Sequence, residues 1–211
     1  MNDWQRGLAD PEKQWRTGYS AKTLAACWEA QKGELPPEIS ALLPAGLAPL
    51  LIIPEWKTML PGGSRASQSD IFLLAKAPQG LFVAMIEGKV NESFDKLTSA
   101  WLGSGTPGKQ TRLEFLCSTL GISRDAALTV RYQLLHRTAS ALIEAKRFGA
   151  DSAAMIVHSF SLEHLWFEDF RAFAACLGVK SELSESTETT MPGGIRLTLG
   201  WACGDPRFLE H

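Results

Sequence analysis

Two carboxylates and an amine stand out for their positions. Asp70 precedes one apolar run, Ile71-Phe72-Leu73-Leu74-Ala75, and Glu87-Gly88-Lys89 follows another, Leu81-Phe82-Val83-Ala84-Met85-Ile86. Between the runs lies Ala77-Pro78-Gln79-Gly80, whose Pro and Gly mark a turn. A hairpin with Ala77 opposite Gly80 puts Asp70 opposite Glu87, with Cβ atoms about 5 Å apart. Lys89 falls on the same face as Glu87, because strand side chains alternate with a period of two. Neighbouring carboxylates repel unless something positive neutralises them. A hard divalent cation with oxygen ligands is the expected partner. Glu-x-Lys alone carries little weight, since Glu55-Trp56-Lys57 and Glu144-Ala145-Lys146 also occur. Glu55 follows Pro54 in an expected loop, and Glu144 and Lys146 lie two apart on an expected helix, where side chains diverge. Only Glu87-Gly88-Lys89 ends a buried strand. The structural alternative is that Asp70 starts a strand while Glu87 and Lys89 form an ion pair at a sheet end.

Other candidates surround this trio. Gln133, Arg137, Ser140 and Glu144 recur at helical spacing on one polar stripe. Gln133 and Arg137 could reach a substrate phosphate, whereas Ser140 and Glu144 are expected on a solvated face. His158 ends a later apolar run, and His164 follows six residues on. They are read either as a metal pair or as hydrogen-bonded structural groups. The seven tryptophans are stacking platforms or core residues. The four cysteines, at 27, 117, 176 and 203, form no C-x-x-C motif. They are expected as reduced, buried, small apolar groups.

The elements that must position these residues follow from the pattern. Residues 1–19 read as an irregular arm. Ser20 is a candidate N-cap for a helix ending near Gly33. Residues 39–43 read as a short helix, and 50–53 as a short buried strand. The run 81–86 is apolar on both faces, as a central strand requires. Helices are expected at 91–102, 109–120, 132–148 and 165–177, a buried strand at 153–157, a solvated loop at 181–190 and an edge strand at 195–201. This order describes an α/β fold, a mixed central sheet flanked by helices. It is read as one domain over 1–211, with a core at about 20–158, an N-terminal arm at 1–19 and a C-terminal helix and edge strand at 159–211.

Ser69-Asp70 followed after sixteen residues by Glu87-Gly88-Lys89 resembles the signature of the PD-(D/E)XK nuclease superfamily. Residues 20–158 resemble its restriction-endonuclease-like α-β-β-β-α-β core. Ser69 replaces the usual proline, at a position that varies in that superfamily. The whole chain is also similar to a family of uncharacterised bacterial proteins, in stretches such as Trp166-Phe167-Glu168-Asp169-Phe170; that likeness implies no activity. The nuclease resemblance implies that Asp70 and Glu87 hold Mg²⁺ or Mn²⁺, with the Gly88 carbonyl and Glu29 as further ligands. It implies that Lys89 assists the attacking water or stabilises phosphate charge, and that Gln133 matches a glutamine some members carry. The expected activity is Mg²⁺-dependent hydrolysis of phosphodiesters in nucleic acid, DNA or RNA, in which bound metal activates water and the ammonium stabilises developing charge. Two alternatives are carried: a catalytically inactive, nuclease-like binding or interaction module, and a hydrolase of small phosphorylated molecules.

Composition sets the outer limits. The 211 residues are 45% hydrophobic and 21% charged, which excludes a disordered chain. The uncharged run from Ile39 to Pro54 is shorter than the roughly 20 residues of a membrane helix. No secretory leader is visible, so a cytoplasmic protein is expected. Net charge is −2, although residues 89–147 carry nine basic against five acidic groups. A strong basic field for nucleic acid is absent, which favours the inactive module.

Overall fold

The computed structural model describes residues 2–8 and 10–210. Short helices α1 (Asn2–Gly7) and α2 (Pro11–Gln14) lead into α3 (Ser20–Ala30) and α4 (Pro37–Ser40). Three antiparallel strands follow: β1 (Ala48–Thr58), β2 (Ser67–Ala77) and β3 (Gly80–Lys89). Four helices come next: α5 (Thr98–Leu102), α6 (Pro107–Leu120), α7 (Arg124–Leu128) and α8 (Tyr132–Phe148). The chain then forms β4 (Ser152–Ser159), α9 (Phe167–Cys176), β5 (Ser186–Thr190) and β6 (Arg196–Cys203), ending in a 3-10 turn at Pro206–Glu210. The strands form one open, six-stranded mixed sheet in the order β1-β2-β3-β4-β6-β5. β3, β4 and β6 run parallel, and β5 returns antiparallel at the edge.

Strand alternation sorts the core onto the two faces of this sheet. Phe72, Leu74, Val83, Met85, Met155 and Val157 pack on one side, beneath α6, α8 and α9. Ile71, Leu73, Phe82, Ala84, Ile86 and Ile156 pack on the other, against α3 and α4. β2, β3 and β4 are covered on both faces, which explains their unbroken apolar runs. Leu113, Leu116 and Leu120 of α6 and Leu134, Leu135 and Leu142 of α8 close the first layer. Gly121 and Gly149 stop these two helices in the left-handed conformation, which a glycine adopts without steric cost.

Several expectations change. The arm contains α1 and α2, and residues 186–190 form an edge strand. β6 is therefore an inner strand, because β5 occupies the edge. β1 runs on through Pro54 to Thr58, since an edge strand tolerates a proline whose missing N–H leaves no ladder bond unmade. Ser20 begins α3 and does not cap it: the Glu92 carboxylate accepts from the Ser20 N–H at 2.9 Å and the Val90 N–H at 3.1 Å. Among the described residues, no helix is long and apolar enough to cross a membrane.

Phe72 tests the larger core. Its ring stacks on Trp56 at 4.5 Å and meets Phe148 at 5.5 Å, with no solvent exposure. Phe72→Ala is expected to cost about 3–5 kcal/mol in urea denaturation. A loss below about 1 kcal/mol would show that these contacts do not carry the core.

Candidate functional site

The hairpin turn fixes the register of β2 against β3. Ala77 pairs with Gly80 and Ile71 with Ile86, so the next rung brings Asp70 beside Glu87. On the other side of β2, Pro54 pairs with Ile71 and Trp56 with Ser69, which leaves Glu55 opposite Asp70. Three adjacent strands thus present three carboxylates in a row: Glu55, Asp70 and Glu87. Glu55 has a positive φ of 56°, a rare conformation for a side-chain-bearing residue. The row lies on the floor of an open hollow of about 660 Å³, walled also by Tyr19, Lys89, Glu92, Gln133 and Arg137.

Each carboxylate has a different environment. Glu87 is buried at 3% exposure and takes three donors: Lys89 Nζ and Gln133 Nε2 on Oε1, and Arg137 Nε on Oε2, each at 2.6 Å. Burial pushes its carboxyl up, but the charges and hydrogen bonds of Arg137 and Lys89 outweigh that and hold it below the usual range. Arg137 also donates to Ser67 Oγ at 3.2 Å, and Ser67 Oγ lies 2.8 Å from His136 Nδ1. Burial pushes His136 well below its ordinary value, and the Arg137 charge adds to this. Asp70 Oδ2 accepts the Gly88 N–H at 2.7 Å. Burial raises the Asp70 carboxyl well above its ordinary value, and the charges of Glu87 and Glu55 push it further. Glu55 accepts from Gln68 Nε2 at 2.6 Å, yet burial still leaves its carboxyl raised. Neither Asp70 nor Glu55 makes a salt bridge among the described residues; both cations of the floor belong to Glu87. A Cβ on Gly88 would stand 3.0 Å from Leu24 and 3.4 Å from Asp70 Oδ2, so glycine permits this approach.

These contacts overturn the nuclease expectation. A catalytic magnesium ion needs carboxylate oxygens open to it, and those of Glu87 are occupied by Lys89, Gln133 and Arg137. Lys89 is an ion-pair partner, and Gln133 and Arg137 bind Glu87 where a phosphate contact was expected. Glu29 is not brought to this floor. It accepts from Trp4 Nε1 at 2.6 Å and lines a separate hollow with Trp28, Lys32 and Pro54. Among the described residues, the one His/Cys/Asp/Glu group of three or more with converging ligand atoms is Cys27, Glu38 and His158, within 4.8 Å of one another. Thiol and imidazole donors suit softer metals, not Mg²⁺ or Mn²⁺. The expected Mg²⁺-dependent hydrolysis of nucleic acid, with its catalytic Asp/Glu/Lys trio, is therefore not what the chain presents.

The Cys27 group joins α3, α4 and β4. His158 Nε2 lies 2.9 Å from Glu38 Oε1, and Cys27 Sγ lies 3.8 Å from the same oxygen. Trp28 Nε1 donates to His158 Nδ1 at 3.2 Å, so the neutral ring carries its proton on Nε2 and donates to Glu38. Burial lowers His158 despite the Glu38 carboxylate, and burial with the Glu38 charge pushes the Cys27 thiol far up. No spacing in the sequence announces this group, because its members come from three separate segments. His164 pairs instead with Cys203, its Nδ1 3.8 Å from Sγ. Ser140 and Glu144 turn out buried, with Glu144 accepting from Thr58 Oγ1 at 2.9 Å. None of the seven tryptophans is an exposed stacking platform.

A family model described as "Domain of unknown function (DUF6946)" matches residues 1–206. No curated protein and no solved structure matches the chain.

Two outcomes follow from the carboxylate row. Glu87→Gln leaves Lys89 and Arg137 buried without their counter-charge and should cost about 3–5 kcal/mol in denaturant unfolding; a loss under about 1 kcal/mol would contradict the network. Asp70 binds its proton more tightly in the folded state. Its contribution is therefore full at low pH and is lost as pH rises from the ordinary carboxylate range through the raised value. Asp70→Asn keeps an acceptor for Gly88 and removes this slope. Denaturation at a series of pH values should show the variant gaining on the wild type as pH rises; a variant falling behind at high pH would contradict the raised carboxyl.

Proposed function

The chain belongs to the DUF6946 family, and from its geometry we propose that it is a non-catalytic binding module whose hollow takes the cationic group of a small organic ligand. The observation that carries this reading is the allocation of charge on the floor. Three carboxylates share one rung; Lys89 and Arg137 are bound to Glu87, and Lys13, which also lines the hollow, is paired with Asp10. Glu55 and Asp70 are left as acceptors with no cation of their own. An ammonium or guanidinium entering the hollow favours the ionised form of these raised carboxyls and forms charge-assisted hydrogen bonds with them, the stronger class of such bonds. Glu55 and Asp70, once ionised, repel a phosphate, so this end of the row disfavours a nucleic-acid backbone.

The hollow also has a suitable size. About 660 Å³ lies within the range of small-molecule sites. Tyr19 and Leu8 provide apolar surface beside the charged floor, for the hydrocarbon part of such a ligand. Rigid strands hold Asp70 and Glu87, and α8 locks Glu87 from above through Gln133 and Arg137. A floor so fixed is preorganised and loses little side-chain freedom on binding.

Calorimetric titration with agmatine, which carries both a guanidinium and an ammonium, tests the proposal. Saturable one-to-one binding is expected, weakened about tenfold or more in Glu55→Gln and Asp70→Asn. Absence of binding, or equal binding by the wild type and both variants, would contradict it.

A further inference from the structure

The buried group at the far end of α3 is separate from the hollow, and its chemistry points elsewhere. We propose that Cys27, Glu38 and His158 form a binding site for Zn²⁺ or a similar thiophilic divalent ion, which ties α3 and α4 to the end of β4. One thiol, one carboxylate and one imidazole converge from three segments, their ligand atoms within 4.8 Å of one another. Around a tetrahedral zinc ion such atoms stand about 3.2–3.7 Å apart. The observed 3.8 Å from Sγ to Glu38 Oε1 and 2.9 Å from His158 Nε2 to that oxygen bracket this spacing. Small side-chain shifts therefore admit the ion. Cys27 and His158 are buried and held by packed elements, whereas the Glu38 side chain is 20% exposed and gives the ion a way in. Three protein ligands leave a fourth position for water on that open side.

The protons can be accounted for atom by atom. The ion replaces the hydrogen on Cys27 Sγ, which leaves as a proton. It also takes the lone pair of His158 Nε2, whose hydrogen must move to Nδ1. Trp28 Nε1 donates to Nδ1 in the metal-free protein, so that bond is broken when the ion binds. Trp28 thus acts as a brake on metal affinity: its indole holds the ring in the tautomer that donates to Glu38. This predicts an effect opposite to that of a purely structural tryptophan. Trp28→Phe keeps an aromatic ring in place, removes the donor and should tighten metal binding about tenfold, the worth of one hydrogen bond.

Cobalt titration of the purified protein reads this directly. One equivalent of Co²⁺ should produce a near-ultraviolet thiolate-to-cobalt charge-transfer band, and Zn²⁺ should displace it. The band should be lost in Cys27→Ser and shift with weakened affinity in Glu38→Gln. It should persist in Cys203→Ser, which removes the thiol beside His164. Agmatine binding should be unaffected in the Cys27 variant, so failure here and failure of the hollow are distinguishable. No band in the wild type, a band that survives Cys27→Ser, or weaker binding in Trp28→Phe would overturn the proposal.

Discussion

Glu87 is an ionised group in a place where ions are costly. A carboxylate at 3% exposure persists only if its lost hydration is replaced. Here Lys89, Gln133 and Arg137 replace it, and the rest of the region follows from that requirement. β3 must end where Lys89 can fold back beside Glu87, and α8 must cross the sheet so that Gln133 and Arg137, one helical turn apart, reach the same carboxylate. Ser67 at the start of β2 then completes the shell of Arg137. Such a cluster ties helix to hairpin by direction as well as by contact area. Buried ion pairs are often no more stabilising than apolar residues of similar volume, whereas the directional contacts of Lys89, Gln133 and Arg137 with Glu87 fix how α8 meets β3.

The neighbouring carboxylates define the character of the site. With both cations of the floor bound to Glu87, Asp70 is left beside two like charges, Glu55 and Glu87, in a poorly hydrated place. Its carboxyl is raised by burial first and by those charges second. One row therefore contains a carboxylate held ionised and two pushed toward protonation. The difference comes from the donors of α8, which reach only the β3 end of the row. This allocation places a cluster of one carboxylate and two cations beside two carboxylates that have no salt bridge among the described residues.

Part of this was legible from residues alone. Pro78 and Gly80 fix the hairpin register, and alternation then places Asp70, Glu87 and Lys89 together. The α/β class and the positions of α8 and β4 followed from apolar periodicity. What the pattern could not supply was charge allocation. Gln133 and Arg137 were legible as a polar stripe, but a stripe looks the same whether it faces solvent, a phosphate or a buried carboxylate. Ser140 and Glu144 show the ambiguity, since both face inward. Glu55 escaped notice because Pro54 reads as a strand breaker, a rule that an edge strand evades. Cys27, Glu38 and His158 had no signal in spacing, since only tertiary packing brings them together.

The central claim is that Glu87 is neutralised by its own chain and does not serve a catalytic metal. Crystals grown with Mn²⁺ and measured at its absorption edge test this most directly. The account predicts no anomalous peak between Asp70 and Glu87, with Lys89 and Arg137 still within hydrogen-bond distance of the Glu87 carboxylate. A manganese ion bridging Asp70 and Glu87, with Lys89 swung away to a water on that ion, would contradict it.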